Sequence, residues 1–101
     1  GMKHFACPLV TALLAALPEL RLVNRRERDW FSATFAGVRM VLTFETDQPI
    51  APERLSSCLE VLAELPVARS GRFVADMCLA ECENGAEGVQ KIGIEALLLD
   101  E

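Results

Sequence analysis

Residues 29–45, D-W-F-S-A-T-F-A-G-V-R-M-V-L-T-F-E, alternate in character on both sides of Ala36-Gly37. A period of two marks a half-buried strand, and a Gly between two such runs marks a reversal of the chain. A two-residue turn at Ala36-Gly37 pairs Phe35 with Val38, Ala33 with Met40 and Phe31 with Leu42. Those six residues then share one face, while Trp30, Ser32, Thr34, Arg39, Val41 and Thr43 share the other. A slip of one residue would scatter the apolar set over both faces, so the pattern selects a single register. Such a hairpin needs a cover for its apolar side.

The cover is sought in two helical runs. Over Pro8–Leu17, P-L-V-T-A-L-L-A-A-L has only Thr11 as a polar residue, with Pro8 suited to the first turn and Pro18 ending the run. A helix this apolar is covered on more than one side. Over Pro52–Leu65, Leu55, Cys58, Leu59, Leu62 and Leu65 form a stripe opposite Glu53, Glu60 and Glu64, and Pro66 stops it. Between helix one and the hairpin, Glu19–Arg28 reads as a connection rich in arginine, namely Arg21, Arg25, Arg26 and Arg28. An anion or phosphate contact is the functional alternative for these arginines, but with no Gly-rich turn or helix start beside them they are expected to be solvated and paired with acidic residues of the second half. Residues 47–51 turn the chain into helix two, and Ser70-Gly71 turns it into a strand over Arg72–Glu83. A polar loop at 84–88 leads to a last strand over Val89–Asp100.

Leu13-Leu14-Ala15-Ala16-Leu17-Pro18 recurs forty-eight positions later as Val61-Leu62-Ala63-Glu64-Leu65-Pro66. Each copy ends a helix that a hairpin follows, so the chain reads as helix-strand-strand twice, over 8–48 and 52–100. The order αββαββ predicts one α+β domain over 2–101, a two-layer sandwich of four antiparallel strands with both helices on one face. Strands 38–46 and 72–83, joined through helix two, should run parallel with the last strand between them. The spatial order is then first, second, fourth, third, a circularly permuted ferredoxin-like arrangement. Gly1, preceding Met2, is read as a processing remnant. Residues 2–17 look a little like a secretory signal, but Pro8 interrupts the apolar run and the repeat assigns the segment to the fold. The run is too short to span a bilayer, and no membrane association is expected.

With both helices on one side, the other sheet face is left open. In the third strand, inward Phe73, Ala75, Met77 and Leu79 leave Val74, Asp76, Cys78, Ala80 and Cys82 outward, provided that no bulge intervenes. In the last strand, inward Ile92, Ile94, Ala96 and Leu98 leave Lys91, Gly93, Glu95, Leu97 and Leu99 outward. The expected partner or ligand surface is therefore Trp30, Ser32, Thr34, Arg39, Val41, Asp76, Glu95 and Leu97. A face this apolar on a small domain signals an interaction surface.

Charge and composition narrow the functions. The net charge is −5. Residues 1–50 hold six basic and five acidic side chains, and residues 51–101 hold four and ten. An acidic second half repels a polyanion, so no nucleic acid is expected as a partner. One Trp and no Tyr argue against a base- or sugar-stacking platform. Of the four cysteines, Cys78 and Cys82 would lie roughly 13 Å apart along one strand, too far to share a metal. With Cys7 and Cys58 they are expected to be buried, reduced thiols. His4 is the only histidine, which leaves Ser32 without a base in its own segment, and no P-loop, dinucleotide fingerprint or metal-ligand set occurs. Asp76 and Glu95 are candidate paired carboxylates with Arg39 near them, but a cross-strand charge pair accounts for them equally well. No catalytic residue, metal or cofactor is assigned.

The hairpin motif Trp30-x-Ser32-Ala33-Thr34-Phe35-x-Gly37-x-Arg39, with the ending Glu95-Ala96-Leu97, resembles a family of small bacterial proteins of unknown function. The resemblance implies a cytoplasmic stand-alone protein and carries no activity or cofactor. It also implies a His after Arg39, where this chain has Met40. The expectation is a homodimeric interaction or structural domain joined through the open face. The alternative is a module binding a small anionic ligand on that face.

Overall fold

The computed structural model describes residues 8–64 and 72–100. Helix α1 spans Pro8–Ala16, followed by strands β1 (Arg21–Phe31) and β2 (Ala36–Thr46). Helix α2 spans Pro52–Glu64, followed by β3 (Arg72–Asn84), a 3-10 turn at Ala86–Gly88 and β4 (Gln90–Asp100). The sheet order is β1-β2-β4-β3 with every neighbouring pair antiparallel, the order expected from the repeat. Pro18 cannot donate a backbone hydrogen bond, and α1 closes just before it through Leu17 N–H to the Leu13 carbonyl at 2.8 Å. No helix among the described residues is long and apolar enough to cross a membrane.

The core lies between the helices and one sheet face. Leu9, Leu13 and Leu17 from the first helical unit meet Leu55, Leu59 and Leu62 of α2 over Met40, Leu42, Phe44, Ile92, Ile94 and Leu98. Leu55, Leu59 and Leu62 of the stripe expected in α2 lie in this core with Cys58 packed against it, Leu65 lies outside the described residues, and the inward residues expected in β2 and β4 join them. Each fully buried Leu, Ile or Phe contributes about 1.5–3 kcal/mol relative to exposure, and this is what holds the two layers together. Two buried polar side chains organise the connection between β2 and α2. The Gln90 amide accepts from Ile50 N–H at 2.8 Å and donates to the Ile50 carbonyl at 3.0 Å. Thr46 Oγ1 accepts from Gln48 N–H at 3.0 Å. Neither lies in a recognisable sequence motif.

Three expectations are corrected. The first hairpin does not turn at Ala36-Gly37. Its loop is Ser32–Phe35, closed by Ser32 N–H to the Phe35 carbonyl at 2.8 Å and by Phe35 N–H to Ser32 Oγ at 3.0 Å. Phe31 therefore pairs with Ala36, not Leu42. Phe31 and Phe35 are 73% and 50% exposed, and Ala33 is an exposed loop residue. Gly37 is a strand residue pressed against β4, where a Cβ would lie against the Leu98 carbonyl and 2.8 Å from the Leu99 Cα. Consequently the arginine-rich segment is no connection but most of edge strand β1. An edge strand needs only one line of backbone partners and is protected from further pairing by charged side chains, so apolar alternation is not required of it. Two of its arginines form ion pairs within the first half of the chain: Arg21 with Glu45 at 3.4 Å, and Arg25 with Glu27 at 2.7 Å.

The second correction is the register of β3. Ladder pairing jumps between Val74 and Asp76 and again between Leu79 and Glu81, leaving Ala75 and Ala80 as extra residues. The first bulge turns Val74 toward the core and Phe73 away from it. The second brings Cys82 opposite Ile92, on the helix side. The third concerns the thiols: Cys78 and Cys82 are exposed and Cys58 is half-buried, all free. Burial pushes the Cys58 thiol pKa up. Cys7, His4, the signal-like start of the chain and the Ser70-Gly71 turn lie outside the described residues.

Candidate functional site

The sheet face away from the helices is a lattice whose rows follow from the ladder registers. The first row is Trp30, Gly37, Leu99 and Phe73, an apolar strip across all four strands. Next come Arg28, Arg39, Leu97 and Asp76, then Arg26, Val41, Glu95 and Cys78. Asn24, Thr43, Gly93 and Glu81 follow, and Arg21, Glu45, Lys91 and Glu83 form the last row. A bulge at Val23 keeps Arg21 and Asn24 on this face together. In Gly93 the absence of a side chain makes room for Glu81, whose Cβ would stand 3.1 Å from any added Cβ.

Of the expected surface residues, the structure brings Trp30, Arg39, Val41, Asp76, Glu95 and Leu97 onto this face. Ser32 and Thr34 are not among them. Both sit in the β1–β2 loop, and the Ser32 hydroxyl is occupied in closing it. Asp76 and Glu95 occupy adjacent rows on neighbouring strands, with Arg39 diagonal to Glu95. No ion pair joins Arg39 to either acid.

Sequence reasoning put Arg26 and Arg28 in a connection and not on this face, of which they become part only once β1 is a strand. Arg28 stands directly opposite Arg39, and Arg26 is on the diagonal. Like charges directly opposite are destabilising, and no described carboxylate forms an ion pair with these three. Arg26, Arg28, Arg39, Val41 and Glu95 line an open concavity of about 310 Å³. A broader hollow of about 670 Å³ extends from Arg26 across the sheet to Glu81, Glu83 and Lys91. The face is thus polarised, with β1 carrying Arg21, Arg26 and Arg28 and β3 carrying Asp76, Glu81 and Glu83. The signal that could have found β1 was Gly37 itself, since a Gly inside a strand marks close approach of another backbone. Among the described residues no cluster of metal-ligating side chains occurs. No protein-family model, curated protein or solved structure matches the chain.

Proposed function

We propose that the protein is a homodimeric interaction or structural domain whose two copies meet through the open sheet face. The observation that carries this reading is the face itself. It joins a strip of Trp30, Leu99 and Phe73, extended by Leu97, to unpaired charges of both signs on opposite edge strands. Four strands at about 4.8 Å spacing and about 3.3 Å rise make a face of roughly 600 Å² per protomer. That is near the low end of stable interfaces, which bury about 800 Å² per partner, so the dimer is expected to be modest in affinity. Its cytoplasmic, bacterial setting rests on the hairpin resemblance, and the acidic second half argues against nucleic acid as the partner.

The chain contains its own reporter. Cys78 lies on the open face and Cys82 on the opposite side of the same strand, both exposed. In light scattering the protein should be a dimer at high micromolar concentration. Under those conditions alkylation of Cys78 should slow while that of Cys82 does not. A monomer at all concentrations, with both thiols equally reactive, would remove the reading.

A second reading is favoured by the Arg26, Arg28 and Arg39 cluster, whose mutual repulsion a small phosphate- or carboxylate-bearing ligand would relieve. Titration with inorganic phosphate should then perturb Trp30 fluorescence, and Arg39→Ala should weaken that response several-fold; absence of any response leaves the dimer alone.

A further inference from the structure

The dimer proposed above admits two seatings, and the charges distinguish them. Two copies meeting face to face are related by a twofold axis lying in the plane of the interface. If that axis runs across the strands, every strand lies on its own counterpart. Arg26 then meets Arg26 of the partner subunit, and Asp76 is brought toward the partner's Glu81, so like charges collide along both edges. If the axis runs along the strands, the order β1-β2-β4-β3 is reversed over itself. Each row then meets its own mirror sequence, and β1 lies over β3.

We infer that the second copy is seated with the axis along the strands, β1 of each protomer lying on β3 of its partner. This places Trp30 on the partner's Phe73, Arg28 on the partner's Asp76, Arg21 on the partner's Glu83 and Glu45 on the partner's Lys91. The two edge strands are equivalent in the helix-strand-strand repeat, yet one presents three arginines and the other three carboxylates. That opposition is what a self-complementary surface requires, and it supplies the missing counter-charge for the Arg28–Arg39 pair. Sheets packed face to face stay within about 30° of alignment, which leaves only these two seatings, and the charges choose between them. The same twofold repeats every contact, so each pairing occurs twice.

The test is charge exchange between rows. Arg28→Asp alone, and Asp76→Arg alone, should each raise the dimer dissociation constant by about tenfold or more, because repulsion is introduced twice. Mixed one to one, the two variants should form a heterodimer by native mass spectrometry, each repulsive pair being replaced by an attractive one. The double variant Arg28→Asp/Asp76→Arg should homodimerise again. If instead Asp76→Arg strengthens the dimer, or the mixture shows no preference for the heterodimer, the seating is wrong although the dimer stands. Should either variant fail to fold, Glu45→Lys mixed with Lys91→Glu makes the same test at the other end of the face: a preferred heterodimer supports the seating and none overturns it. A wild-type protein that stays monomeric overturns the dimer itself.

Discussion

Gln90 shows how much one side chain can do when it is buried. Its amide meets both the N–H and the carbonyl of Ile50, and so ties the segment between β2 and α2 to the central strand β4. Because a buried polar group left without a partner loses its solvation outright, Gln90→Leu should destabilise the fold by about 1–3 kcal/mol in urea unfolding. The same substitution on the exposed face, at Asn24, should change little. Nothing in the local sequence distinguishes Gln90 from any glutamine at a strand start. Its role is set by a residue forty positions away, and only the folded chain brings the two together. Ser32 is the opposite case, a short-range device that closes its own loop, where the alternation had placed it on the outward face of a strand.

At the scale of elements, the contrast lies between central and edge strands. β2 and β4 are flanked on both sides and covered by helices on one face, so an apolar residue recurs at every inward position and their inward faces were legible. β1 and β3 are edges. β1 carries L-V-N-R-R-E-R-D-W with no apolar period, and β3 is interrupted by bulges at Ala75 and Ala80. Edges tolerate both features because half of their backbone faces no partner, and bulges there also discourage association edge to edge. The hairpin loop was misplaced for the same reason: phenylalanines at 31 and 35 alternate like core residues but are exposed, one at the end of β1 and one in the loop. Gly37 resolves the register. Gly37→Ala would force a methyl group into the backbone of β4, and a loss of about 1–3 kcal/mol with a lowered melting temperature is expected.

For the whole molecule, the two helix-strand-strand halves are joined by more than the core. Arg54 at the start of α2 makes a two-point contact with Glu19, just before β1, which ties the second half to the first. The hydrogen bonds from the Arg54 guanidinium hold the Glu19 carboxyl below the ordinary carboxylate range. Since the folded state favours the ionised form, this contact stabilises above the ordinary carboxylate range and is lost as pH falls through the lowered value. Melting curves of wild type and Glu19→Gln should therefore differ at pH 7 and converge toward pH 2. At this scale too, the charge that composition presents as an acidic second half is redistributed. The sheet puts the arginines of β1 at one edge and the carboxylates of β3 at the other, with the open face between them.

The sequence by itself determined the helices, the αββαββ order, the duplicated architecture and the inward residues of the central strands. These follow from local periodicity, from prolines that stop helices and from connections too short to allow another path. The tertiary structure alone decided that an arginine-rich segment is a strand, which way β3 faces after its bulges, and which charges share a surface. Those outcomes depend on backbone pairing with distant neighbours, which polar side chains permit without announcing. The candidate site was legible to the same extent. Arg39, Val41, Glu95 and Leu97 lie on the central strands, whose inward residues alternate, whereas Arg26 and Arg28 belong to the face only because β1 pairs with β2 along its whole length.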